Sequence, residues 1–115
     1  MKYAFLGYGS LEMLDSLSDV ERAAWEADDA AFNAELADRQ CVVTGEPLAP
    51  PDTATTVRVV NGRATLTDGP FIETTEYLGG VLVIDVPDLD TALDLARRSP
   101  AARVGAIEVR PIRRM

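Results

Sequence analysis

The feature that most constrains this chain is the order of its hydrophobic periods. Two stretches with a helical period are each flanked by strand-like runs, and a single Asn-Gly turn lies between the two sets. Lys2 to Tyr8 is aromatic and apolar and ends at Gly9-Ser10, which predicts a first strand. A loop is expected through Leu14 to Leu17. Ser18-Asp19-Val20-Glu21 is a capping box, in which the serine hydroxyl and the glutamate side chain satisfy each other's backbone N–H groups. It predicts a helix from about 19 to 39, a span free of Gly and Pro. Val20, Ala23, Ala27, Ala30, Ala34 and Ala37 fall on one face. Trp25, Phe32 and Leu36 fall on the other, with Asp29 among them. The larger side chains should pack on the sheet, because they bury more area.

Cys41 to Thr44 reads as a short strand closing at Gly45. Pro47, Pro50 and Pro51 make the next stretch irregular, since proline gives no donor to a ladder. Thr55 to Val60 and Ala64 to Thr67 read as two strands joined at Asn61-Gly62, where both residues tolerate positive φ. Leu78 to Val86 is a long β-branched run and should be a central strand. Asp88 caps a second helix, with Leu89, Ala92, Leu93 and Ala96 expected to face the core. Ser99-Pro100 ends it. Gly105 to Arg110 is a last strand, closed by Pro111.

The order is β-α-β, a hairpin, then β-α-β. This predicts one α+β domain over residues 1–115, a ferredoxin-like sandwich with an inserted β-hairpin. Both helices must cover one sheet face. The other face carries Val, Ile and Leu side chains that also need cover, and a homodimer supplies it.

Charge and residue inventory narrow the function classes. A net charge of −8 argues against nucleic acid and acidic membrane surfaces as partners. No run of apolar residues is long enough for a membrane span, and the N-terminal apolar stretch is too short for a signal peptide. A cytoplasmic setting is expected. The chain has no histidine and one cysteine. That removes histidine as general base, Ser-His-Asp and Cys-His nucleophile systems, and histidine-based zinc sites. No cofactor is expected. Cys41 has no histidine partner and reads as a small buried hydrophobe. Gly7-Tyr8-Gly9 lacks the third glycine and the spacing of a dinucleotide site.

Thr67-Asp68-Gly69-Pro70-Phe71-Ile72-Glu73 is the stretch richest in chemistry, and it admits two readings. As a binding loop, Asp68 is an acid/base or hydrogen-bonding anchor, Gly69 gives a ligand close access to backbone, Phe71 walls a pocket, and Glu73 joins its rim. As a shaped turn, Asp68 accepts from backbone N–H groups, Gly69 takes positive φ, Pro70 fixes φ and Phe71 packs. Glu73 and Glu76 also fit a solvated face. Asp29 sits mid-helix, where aspartate is unfavourable. It either lines a cleft or lies at an exposed helix edge. A cleft shared by Asp29 and Asp68 would suit proton transfer or a cationic ligand.

The Asp68-Gly69-Pro70-Phe71 run resembles the signature of the DGPF branch of the YCII-related family. The likeness extends to Met1-Lys2-Tyr3, Gly45 to Pro50, Ala54 to Val59, Leu78-Gly79-Gly80, Ile84 to Asp90 and Glu108 to Pro111. It implies a bacterial protein with a dimeric α/β-barrel fold and no established reaction. Some members are associated with sigma factors, which implies a regulatory context and a functional link of that kind. The family's suggested His–Asp active site does not carry over, because histidine is absent and Ser99-Pro100 stands where many members have Asp-Pro. Of the motif, Asp68 and its neighbours map cleanly. Three readings follow: a homodimeric small-molecule binding or sensing module, a cofactor-free enzyme using carboxylates, and an interaction protein. The first is favoured.

Overall fold

A computed structural model describes residues 1–114. Strand β1 (Lys2–Gly9) runs antiparallel to β5 (Tyr77–Asp85) on one side and to β6 (Ala106–Pro111) on the other. Strand β2 (Val42–Pro47) pairs antiparallel with the far edge of β5. The resulting order, β2-β5-β1-β6, is the ferredoxin-like arrangement of two βαβ units. Strands β3 (Thr55–Val60) and β4 (Arg63–Asp68) form a separate two-stranded sheet between β2 and β5, the inserted hairpin.

Alternation along the strands sets the core. Tyr3 lies opposite Ile84, and Phe5 lies opposite both Leu82 and Val109. These side chains share the face under the helices, and Tyr3, Phe5 and Ile84 are buried there. Helix α2 (Asp19–Asp38) lays Phe32 and Leu36 into this core, while Val20 and the alanine face remain exposed. The predicted choice of face therefore holds. The capping box is present: Glu21 N–H donates to Ser18 Oγ at 3.1 Å, and Ser18 N–H donates to Glu21 Oε1 at 3.0 Å. Cys41 is buried, with its Sγ 3.7 Å from the Leu36 carbonyl oxygen.

Two local expectations are corrected. Leu11–Asp15 forms a short helix, α1, within the segment expected as loop, because Ser10 Oγ accepts from Met13 N–H at 3.2 Å and caps it. In α3 (Leu89–Arg98), Ala92, Leu95 and Ala96 are buried, whereas Leu89 and Leu93 are exposed. The spacing of 92, 95 and 96 marks the face that meets the sheet. Leu93 is one residue step round the helix, and Leu89 lies in the first turn. Past Pro100, a further short helix, α4 (Ala101–Val104), precedes β6.

At the hairpin tip Asn61 and Gly62 take φ of 52° and 79°, both positive as the turn requires. Val57, Val59 and Leu66 share one face and are exposed, Leu66 by 68 %. The protomer measures 47 × 41 × 18 Å. Its radius of gyration is 16.3 Å, against about 13 Å for a compact chain of this length. It is a thin two-layer slab. Among the described residues, no helix is long and apolar enough to cross a membrane.

Candidate functional site

A cleft of about 680 Å³ lies between α2 and the helix-facing side of the sheet. Its floor contains Gly7 of β1 and Gly80 of β5, which are paired across the ladder. A Cβ on Gly80 would come no closer than 3.5 Å to any neighbour, and one on Gly7 no closer than 3.7 Å. Those are ordinary contacts, so backbone crowding does not require glycine here. What the two glycines provide is empty volume above the sheet. Gly105 behaves differently, since its Cβ would fall 2.0 Å from the Tyr8 carbonyl oxygen. A register shift at Gly7/Tyr8 leaves Gly79 as an extra residue beside the floor. Such bulges re-aim the chain at the edge of a site.

The walls are Phe5, Phe32, Leu36, Leu82 and Ile107, and the polar lining includes Asp29, Asn33, Ser99 and the backbone of Glu46. Ser99 is 6 % exposed and caps the C-terminus of α3. Asp29 is half-buried on α2.

The roof is clamped on the N-terminal side of Asp29. Trp25 Nε1–H donates to the Pro100 carbonyl at 3.0 Å, and Arg103 pairs with Asp28 at 2.9 Å. Further along, Arg98 reaches Glu35 at 2.7 Å. The hydrogen bond from Arg98 holds the Glu35 carboxyl below the ordinary glutamate range and raises Arg98 in turn. These contacts hold α2 over the α3–α4 connection and define the cleft between them.

Of the residues singled out from the sequence, Asp29 lines this cleft. Asp68, Gly69, Phe71 and Glu73 are not among its lining residues, so within one protomer Asp29 and Asp68 do not share it. Asp68 is the exposed last residue of β4, opposite Thr55. Gly69 has φ of 99°, its N–H donates to Ala54 O at 2.7 Å, and its carbonyl accepts from Thr56 Oγ at 2.8 Å. Phe71 is 64 % exposed, with the Arg58 guanidinium 4.6 Å from its ring centroid. Glu73 is exposed. The motif folds back on the base of its own hairpin.

Sequence reasoning missed Gly7, Gly80, Asn33, Glu46 and Ser99 as cleft residues. The available signal was glycine inside strands that otherwise read as apolar, a mark of a bulge or of close approach by a ligand. Among the described residues, no group of three His, Cys, Asp or Glu side chains is arranged to hold a metal ion.

Comparison with known proteins supplies the lineage. The YCII-related domain matches residues 1–115. The chain belongs to the YCII-related family. It is 34 % identical over 114 residues to an uncharacterized protein of Rhizobium meliloti, covering 97 % of this chain and 92 % of that one. Among solved structures it is similar to 5-chloro-2-hydroxyhydroquinone dehydrochlorinase from Burkholderia phenoliruptrix, in complex with 2,5-dihydroxybenzoquinone. That likeness has a TM-score of 0.57 at 14 % identity, and it covers 100 % of this chain and 96 % of the enzyme. At that identity it speaks to the fold, a dimeric α/β-barrel type shared by this YCII-related chain.

Proposed function

We propose that this YCII-related protein is a homodimeric, cytoplasmic small-molecule binding or sensing module, with the α2–sheet cleft as its ligand site. The observation that carries the reading is the pair Gly7 and Gly80. Neither needs to be glycine for its own backbone, and together they hold open a largely apolar cleft of about 680 Å³ with a few polar groups at its wall. The sigma-factor link implied by the sequence resemblance gives such a module a regulatory setting.

Two surfaces support the homodimer. The sheet face away from the helices carries Ala4, Leu6, Val81 and Val83, none of them fully buried. The hairpin exposes Val57, Val59 and Leu66, and an isolated two-stranded sheet is at best marginal in water. Asp68, Gly69, Phe71 and Glu73 enter this proposal only as groups that a second subunit brings to a ligand.

An enzyme reading is the alternative. It is favoured by Asp29, a carboxylate on the cleft wall, and by the dehydrochlorinase activity of the structural neighbour. In it Asp29 is the acid/base group in the absence of histidine.

The test is a thermal-shift screen of wild type and Gly80→Val against a metabolite panel. A ligand present at 100 times its Kd adds about 2.7 kcal/mol of stability. A compound that stabilises wild type but not Gly80→Val supports the cleft as the site. Chromatography of that compound after incubation then separates sensor from enzyme. Compounds that stabilise both proteins alike would move the site elsewhere.

A further inference from the structure

We infer that the cleft selects flat, neutral or cationic ring compounds and rejects carboxylates and phosphates. The inference rests on the cleft being the ligand site, and it names the ligand class. The charged residues along the cleft are Asp29 and Glu46, and among the described residues no lysine or arginine lines it. Glu46 pairs with Val81, so its side chain leaves the sheet on the face away from the helices, and Asp29 is the carboxylate on the cleft wall. Among the described residues, Asp29 forms no ion pair. The arginines on the roof are engaged elsewhere: Arg98 with Glu35 and Asp94, and Arg103 with Asp28. An anionic ligand would therefore sit beside the unpaired Asp29 carboxylate with no cation on the lining, in a chain of net charge −8. An ammonium or a donor-bearing neutral group meets the opposite situation, with Asn33 and Ser99 also on the lining for hydrogen bonding.

Shape points to a ring. Where Gly7 and Gly80 form the floor no side chain rises from the sheet, and Phe5 and Phe32 stand on the walls. A planar ring lies on bare backbone and meets aromatic walls, which also favour a cation.

Three probes that share a naphthalene ring and differ in charge test this at pH 7 by calorimetry: 2-naphthylmethylammonium, 2-naphthol and 2-naphthoate. The first two should bind at least about tenfold more tightly than the third, the scale of one partly screened charge interaction. Asp29→Asn should shrink that gap. Should Asp29→Asn fold poorly, added salt gives the same reading in wild type, weakening the ammonium while leaving the naphthol unchanged. Naphthoate binding as tightly as the others, with Gly80→Val abolishing all three, would overturn the ligand class and leave the cleft reading standing. No binding by any probe, or binding unaffected by Gly80→Val, would remove the cleft reading and this inference with it.

Discussion

Trp25 on α2 donates its indole N–H to the carbonyl oxygen of Pro100, 75 residues further along the chain, at 3.0 Å. The bond ties the roof of the cleft to the turn between α3 and α4. Trp25→Phe keeps most of the ring but removes the donor. It should cost about 1 kcal/mol, the net value of one such bond. Urea unfolding should show a lower midpoint with an unchanged slope. An unchanged midpoint would mean that the bond contributes nothing to holding the roof.

The capping box at Ser18 gives a second, independent handle on α2. Ser18→Ala removes the acceptor for Glu21 N–H and should destabilise by about 1 kcal/mol. Ser18→Gly should cost only a few tenths of that. Equal effects of the two changes in thermal melts would show that the hydroxyl is not what starts the helix.

Glu35 gives a pH dependence with a defined sign. The hydrogen bond from Arg98 is the largest cause of its lowered pKa, and Arg39 adds to it. A carboxylate whose pKa is lower folded than unfolded contributes stability above its unfolded value, and that stability is lost as pH falls through the folded value. Glu35→Gln should therefore be less stable than wild type at pH 7. The two should converge as pH drops from the ordinary glutamate range through the lowered one. A difference that stays constant from pH 7 to pH 3 would show that the charge is not the cause. High salt should narrow the gap at pH 7.

At Gly69 the backbone φ of 99° excludes an ordinary L side chain. Gly69→Ala should cost about 1–3 kcal/mol, and Thr56→Val, which removes the hydroxyl donated to the Gly69 carbonyl, about 1 kcal/mol. Both are expected to lower the melting temperature, and within one chain neither residue lines the cleft, so ligand affinity changes only if a second subunit brings the motif to the ligand. Loss of ligand affinity in either variant would join the motif to the site.

Subunit association should depend on the sheet face away from the helices. Val83→Glu puts a carboxylate at its centre. Sedimentation of wild type should give twice the chain mass of 12.4 kDa, and the variant should sediment at the single-chain mass. A wild type that sediments at 12.4 kDa would refute the homodimer.

Sequence and structure agree where one local rule acts without competition. The capping box at Ser18, the cap at Asp88 and the Asn61-Gly62 turn are short-range chemistry, and all three are present. The strand order followed from the alternation of periods, and the placing of Phe32 and Leu36 against the sheet followed from size. The errors arose where a residue's role depends on a remote neighbour. Ser10 follows Gly9 and reads as part of a turn, yet it caps α1. Leu93 is more apolar than Ala96, yet the orientation of α3 on the sheet buries Ala96. Of the candidate cleft, the sequence singled out Asp29, an awkward residue in a helix that could line a cleft or lie at a helix edge. The cleft was invisible at Gly7 and Gly80, because a cavity consists of atoms that are missing. It became visible only once the ladder set the two glycines side by side.

A cavity made by omitting side chains can be resized one methyl group at a time. Alanine at Gly7 or Gly80 would meet only ordinary contacts, so the sheet has no need to shift. That makes the pair a natural place for bump-and-hole engineering. A trimmed ligand could be matched to an alanine variant and an enlarged one kept for the parent, giving two non-overlapping protein–ligand pairs on one scaffold.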